Sequence, residues 1–272
     1  MSNKNPMSAP EPWTLVAEGY VTDTQPVFEQ YCRKALALVG YKGSGKVLDV
    51  ACGPGTLSLL IHRDAGEIHG IDFSPGMLEC FNREVARRGI ANIKTWRMDG
   101  QHLEFGDGEF DWAFSIFGLM FFPDRGKGYR EALRVLRPGG ALLFNVWDRL
   151  EANEFALAVT DALAALFATD PPRFLARTPH GYHEAERIGA ELRTAGFREV
   201  RVETLPRTSR AANARDVALG YCQGTPLAGE IEARAPGALA RVTEQVTAAL
   251  AQRHGAGVIE GAIQAHRFIA LR

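Results

Sequence analysis

The chain has 272 residues, 46% of them hydrophobic, which suffices for one large domain or one domain with sizeable insertions. With 31 Lys and Arg against 32 Asp and Glu the formal charge is -1, so no global field draws the chain to nucleic acid or to an anionic membrane, and a small or neutral partner is expected. Cys32, Cys52, Cys80 and Cys222 share no paired spacing, the first thirteen residues hold no apolar core of signal-peptide length, and no run approaches the ~20 apolar residues of a membrane span; a cytoplasmic protein without a disulfide framework or metal site is the expectation.

Residues 1–12, with three prolines and little hydrophobicity, read as a mobile leader. From 26 to 39 the residues Val27, Phe28, Tyr31, Ala35, Leu36 and Val39 recur at helical spacing, and 41–45 then resets the chain. The pattern next alternates: strands are predicted at 46–51, 67–72, 93–98, 110–116 and 141–146, with helices at 56–63, 75–88 and 125–136 between them. Ser74 is the expected N-cap of the 75–88 helix, with Pro75 at its first position. Such alternation implies right-handed crossovers and an α/β, doubly wound, mainly parallel sheet. Beyond Trp147 the expectations are a helix at 151–168 stopped by Asp170-Pro171-Pro172, a helix at 183–195 capped by Gly196, a strand at 197–205, helical residues within 207–258, above all 238–252, and a last strand at 265–271. The corresponding division is 1–40 as leader and cap helix, 41–148 as a ligand-binding core, and 149–272 completing the sheet with helical insertions near 149–182 and 207–258.

The first strand runs into a turn of special composition, VLDVACGPGTLSLLI over 47–61. Glycines there let a ligand approach the backbone, and the exposed amides at the start of a helix favour a negative group, although a tight crossover turn alone also uses glycine. Asp72 ends the second strand, where doubly wound folds accept hydrogen bonds from ribose hydroxyls, and Asp99 follows the third; all three features face the carboxyl-end crevice of a parallel sheet. A dinucleotide fingerprint wants a third Gly or Ala where this chain has Ser58, and no phosphate-loop pattern is present.

Taken together, VLDVACGPG, GIDFSPGML, MDGQHLEFGDGEFDWAFS and ALRVLRPGGALLFNVW resemble, in order, the motifs of class I S-adenosylmethionine-dependent methyltransferases, especially the branch of ubiquinone and menaquinone biosynthesis C-methyltransferases. The resemblance is close over 45–148 and weak beyond. It implies a Rossmann-like seven-stranded sheet with its last strand antiparallel and S-adenosylmethionine over the carboxyl edge. By the same carry-over Asp49, Ala51, Gly53 and Gly55 line the methionine and ribose, Asp72 binds the ribose hydroxyls, Phe73 and Met77 flank adenine, Asp99, Gly100 and Gln101 lie near the adenine edge, and Ser115, Ile116 and Phe117 border the sulfonium. Residues 136–140 resemble the family's turn before the fifth strand. Ala51 departs from the pattern, which usually has Gly there.

Methyl transfer from a sulfonium needs alignment and exclusion of water rather than a protein nucleophile, so Cys52 is expected only to pack in the loop. Tyr20 is a candidate lid over the cofactor, with plain packing as the alternative. Phe117, Leu119, Met120, Phe121 and Phe122 are candidates for the wall of an apolar acceptor pocket or for ordinary core. His180 and His183 are candidate bases for deprotonating the acceptor, or solvated loop histidines. The helical residues of 207–258 are expected to cover the acceptor site or to form a homodimer surface, with 221–226 the segment to contact a hydrophobic or aromatic acceptor. Two rival readings remain: a nicotinamide-dependent oxidoreductase on the same core, and a non-catalytic protein that binds S-adenosylmethionine without turnover.

Overall fold

Leu48 and Val50 point to one side of their strand and Val47 to the other, and the alternation places the sheet between two helical layers. The computed structural model describes residues 10–21, 25–32, 35–40 and 45–272. The expectations for 1–9, for the reset at 41–44 and for the side chains of Val27, Phe28 and Leu36 lie outside the described residues.

Seven strands form one sheet: β1 (Lys46–Val50), β2 (Glu67–Asp72), β3 (Ile93–Arg97), β4 (Phe110–Ile116), β5 (Leu136–Trp147), β6 (Glu199–Ala211) and β7 (Ile259–Leu271), in the spatial order β3-β2-β1-β4-β5-β7-β6. The pairs from β3 through β5 are parallel, and β7 runs antiparallel to both β5 and β6. The order reverses beside β1, so β1, β2 and β4 open a crevice at their carboxyl ends. Helices α4 (Thr56–Ile61) and α5 (Pro75–Arg88) cover one face through Leu57, Leu78 and Phe81. On the other face lie α6 (Arg125–Val135) and α9 (Ala185–Ala195), through Tyr129, Val135, Ile188 and Leu192. Ser74 caps α5 as its sequence predicts, its hydroxyl accepting from the Met77 amide at 3.3 Å, and Gly196 ends α9 in the left-handed conformation.

A third layer lies beyond the sheet. Helices α7 (Glu154–Leu166), α8 (Phe174–Arg177), α10 (Ala214–Cys222), α11 (Leu227–Arg234) and α12 (Leu239–His254) share one apolar core that includes Val159, Leu163, Val217, Val246 and Leu250. The two segments predicted as separate insertions, around 149–182 and 207–258, therefore pack on each other.

Four boundaries differ from the sequence expectation, each for a physical reason. Glu11 and Pro12, expected to end a mobile leader, open a helix, α1 (Glu11–Gly19); its Thr14 bonds Ser74 at 3.0 Å, and its Val16 and Ala17 are buried. After it come α2 (Gln25–Cys32) and α3 (Ala35–Leu38). β5 begins at Leu136: the expected turn at 136–140 is a bulge inside the strand, where Phe110 faces Leu136, Trp112 faces Ala141 and Gly139 takes φ +81°. The helix predicted at 151–168 is split at Asn153 into a 3-10 turn and α7. Finally, β6 and β7 pair along their whole length, Glu199 with Leu271 through to Ala211 with Ile259. Their outer half carries Pro206, Arg207, Ser209 and Arg210, which end the apolar alternation without ending the strand.

Candidate active site

The turn after β1 is built from left-handed residues. Gly53 has φ +54° and Gly55 φ +83°, but Ala51, at φ +53°, adopts the same region with a side chain. This explains why the resembling proteins usually hold Gly at that place. The methyl of Ala51 is accommodated by a second small residue: a Cβ on Gly118 would sit 2.6 Å from the Ala51 Cβ. Gly55 turns away from the crevice, where a Cβ would lie 2.2 Å from the Phe81 ring. Its part is to let Phe81, fully buried, pack beneath the loop. At Gly53 a Cβ would meet nothing within 4 Å, so this amide borders open space.

The loop is tied to the neighbouring strand by a carboxylate. Asp72 Oδ2 accepts the Gly53 amide at 2.9 Å and Oδ1 accepts the Ser74 amide at 2.9 Å, while Cys52 N–H donates to the Ile71 carbonyl at 2.9 Å. Each Asp72 oxygen keeps lone pairs for further donors. Burial pushes its pKa up to about 6, despite the amides that favour the charged form. Asp49, inside β1, receives the Ser58 hydroxyl at 2.6 Å and is pushed by burial up to about 7. Asp99 is exposed and holds the next turn, its Oδ1 accepting the Gln101 amide at 2.9 Å, while Gln101 Oε1 accepts the Asp124 amide at 2.9 Å.

These groups surround one cleft of about 970 Å³, partly open to solvent. Of the residues expected there, Tyr20, Asp49, Ala51, Gly53, Asp72, Phe73, Met77, Asp99, Gly100, Gln101, Ile116 and Phe117 line it. Gly55 and Ser115 do not: the first faces Phe81, and the second is fully buried behind Gly118, whose Cβ would lie 2.8 Å from the Ser115 hydroxyl. Cys52 both packs and lines the cleft, and burial pushes its thiol pKa up, away from reactivity. Trp13, Pro54, Thr56, Leu57, Met98, Gly118 and Pro123 also line the cleft without having been predicted as site residues. Trp13 carried no signal because no helix was expected at 11–19; Gly118 was visible only as a glycine after a strand.

Next to this cleft is a larger chamber of about 1580 Å³, also open at one end, under the helical layer. Trp13, Tyr20, Phe117 and Phe121 line both spaces. Phe117, at φ +60°, turns its ring onto Trp147, with ring centroids 3.9 Å apart, and Trp13 meets Phe121 edge-on at 4.7 Å. The apolar run after β4 is thus divided: Met120 lines the chamber, Phe122 the cleft, and Leu119 neither. Tyr221 and Thr225 from the expected 221–226 segment line the chamber. His180 lines it too and is buried rather than solvated, whereas His183 stands outside and pairs its Nδ1 with the His180 carbonyl at 2.9 Å.

Comparison with known proteins fits this geometry. A methyltransferase domain family matches residues 47–140. Demethylmenaquinone methyltransferase of Thermus thermophilus is 32% identical over 184 residues, covering 64% of this chain and 83% of the relative. The YcgJ protein of a Bacillus aligns structurally with TM-score 0.61 at 15% identity over 89% of this chain and 98% of its own. A phosphoethanolamine N-methyltransferase 2 of Haemonchus contortus, solved with S-adenosylhomocysteine, aligns with TM-score 0.57 at 17% identity over 89% of this chain and 52% of its own. The chain belongs to the class I S-adenosylmethionine-dependent methyltransferases, in the branch of the menaquinone methyltransferases and their likenesses. It transfers a methyl group from S-adenosylmethionine to an acceptor, and the choice between methyltransferase and nicotinamide oxidoreductase falls to the former.

Proposed function

We propose that the cleft at the ends of β1, β2 and β4 holds S-adenosylmethionine and that the adjoining chamber holds a small, apolar, ring-bearing acceptor. The observation that supports this reading is the wall of Trp13, Tyr20, Phe117 and Phe121 common to both spaces, since two reactants must meet at a shared boundary from which water is excluded. The bound donor supplies an electrophilic methyl on a sulfonium, and the chain supplies alignment.

The residues of the cleft suit the donor. Asp72 accepts the ribose hydroxyls, Phe73 and Met77 flank the adenine, and Asp99, Gly100 and Gln101 border its edge. The open space at Gly53, where a Cβ would meet nothing within 4 Å, together with Asp49 and Ala51, borders the methionine end. Ile116 and Phe117 stand beside the sulfonium, where an aromatic face favours a cation. Tyr20 and Trp13 close the cleft from α1. The chamber's aromatic walls favour a flat apolar acceptor over a sugar or a nucleic acid. Among the described residues no helix is long and apolar enough to cross a membrane, and the four cysteines are free, which suits a reaction in the cytoplasm.

Titration calorimetry with S-adenosylhomocysteine tests the donor site: tight binding is expected, and no heat would overturn it. Incubation with S-adenosylmethionine and a panel running from hydroxynaphthalenes to sugars, with methylated products read by mass spectrometry, tests the acceptor class. Preferred methylation of the polar members would refute an apolar acceptor.

A further inference from the structure

Asn153 and Thr225 on the chamber wall are already engaged, while the Trp13 indole N–H is buried without a partner among the described residues. Asn153 gives its amide hydrogens to the carbonyls of Asp148 and Arg149, at 3.3 and 3.0 Å, and receives the Gln264 amide on its oxygen at 3.1 Å. The Thr225 hydroxyl donates to the Tyr221 carbonyl at 2.7 Å and accepts the Leu227 amide at 3.2 Å. His180 is different. Its Nδ1 lies 2.8 Å from the Asp148 carbonyl oxygen, which only accepts, so Nδ1 carries the proton and Nε2 carries a lone pair. Among the described residues Nε2 has no hydrogen-bond partner, and the ring, 5% exposed, borders the chamber. Burial pushes its pKa down to about 4, so the ring is neutral near pH 7. The tautomer is fixed from outside the chamber: the Asp148 side chain is itself held by Gln264 Nε2 and by His266 Nε2 at 3.1 Å. Nε2 therefore offers the chamber a lone pair that no protein donor holds, and a ligand that brings an O–H can use it.

We propose that His180 Nε2 accepts the hydroxyl proton of the methyl acceptor, which makes that acceptor a hydroxyaromatic compound and His180 a catalytic residue. The proposal rests on the chamber being the acceptor site. Written for attack by the hydroxyl oxygen, the O–H bond breaks as the proton passes to Nε2, and the oxygen's electron pair forms the bond to the methyl carbon. The carbon–sulfur bond breaks with its pair left on sulfur, and the imidazolium later returns its proton to water. A base of low pKa serves here because the oxygen becomes strongly acidic only as its new bond forms. Across the chamber Tyr221, whose pKa burial pushes up to about 12, keeps its proton and can donate to a second oxygen of the acceptor. The stack of Phe117 on Trp147, whose ring lies 6.2 Å from His180, links the base to the wall shared with the cleft.

The test uses the full chain saturated with S-adenosylhomocysteine and two probes on one ring system, 1-naphthol and its methyl ether 1-methoxynaphthalene, the second lacking the proton. Calorimetry is expected to give about tenfold tighter binding of 1-naphthol, a difference that His180→Phe abolishes and His180→Gln partly restores. In the unaltered chain the 15N resonance of His180 Nε2 is expected to move with 1-naphthol and to stay with the ether. Equal affinities in the unaltered chain, a preference that survives in His180→Phe, or an unmoved resonance would each overturn the proposal. If S-adenosylhomocysteine binds and neither probe does, the chamber is not the acceptor site and the proposal falls with that reading. A loss of S-adenosylhomocysteine binding in the unaltered chain would instead count against the donor cleft.

Discussion

The Gly53 amide donates to Asp72 Oδ2 at 2.9 Å, so one carboxylate both anchors the loop after β1 and faces the cleft where the methyl donor is proposed to bind. Removing it acts on shape and on contact at once. Asp72→Ala is expected to weaken S-adenosylhomocysteine about a hundredfold or more, because the loop loses its tie and the ribose its acceptor. Asp72→Asn keeps one oxygen and the volume, so a loss of about tenfold is expected. Calorimetry on both variants checks the order; equal affinities would show that the carboxylate serves neither purpose.

Burial raises the pKa of Asp72 to about 6 and of Asp49 to about 7 in the folded chain. Between about pH 4, where these groups titrate when unfolded, and pH 6 to 7, the folded chain holds protons that the unfolded chain releases. This contribution to stability is full below about pH 4 and is lost as the pH rises through 6 to 7. Ribose hydroxyls need the ionised carboxylate, so donor binding is expected to expel a proton. Affinity for S-adenosylhomocysteine should rise between pH 5 and 7.5, and calorimetric heats at pH 6 should vary with the ionisation enthalpy of the buffer. Heats identical in phosphate and Tris would contradict this.

The two loop glycines are expected to fail differently. Gly55→Ala places a methyl 2.2 Å from the Phe81 ring at φ +83°, and a loss of about 2–4 kcal/mol of stability is expected, with a lower melting temperature. Gly53→Ala has open space around it and a milder backbone cost of about 1 kcal/mol, yet its methyl enters the cleft, so donor affinity should drop more than stability. Thermal melts with and without S-adenosylhomocysteine separate the two effects.

Ala51→Gly relieves a left-handed alanine and is expected to stabilise the chain by up to about 1 kcal/mol while leaving donor binding in place. Gly118→Ala, in contrast, drives a methyl to 2.6 Å from that of Ala51 and should destabilise the loop. The double variant Ala51→Gly, Gly118→Ala should recover much of that loss. Additive melting temperatures would show that the two positions do not communicate.

The first five strands were legible because most are short apolar runs, and burial on both faces writes itself into such runs; β3, an edge strand with only Ile93 buried, was legible from the alternation of elements. The cleft was legible for the same reason, since its acids stand at strand ends. What escaped detection depends on pairing across long separations. The outer half of β6 looks like loop because Pro206, Arg207 and Thr208 are exposed and polar or helix-breaking, and the partner strand β7 keeps them extended. Ser115 lies one residue too deep because the strand ends with Phe117 in a left-handed bend, a detail of backbone angle. The burial of His180 follows from a carbonyl 32 residues earlier in the chain.

The long β6–β7 ribbon carries α10, α11 and α12 of the upper storey to the sheet on a pair of rails, where they meet α7 and α8 from the β5–β6 connection. Because that ribbon joins the edge of the sheet away from β1 and β2, the roof of the proposed acceptor chamber is built apart from the residues proposed to cradle the methyl donor.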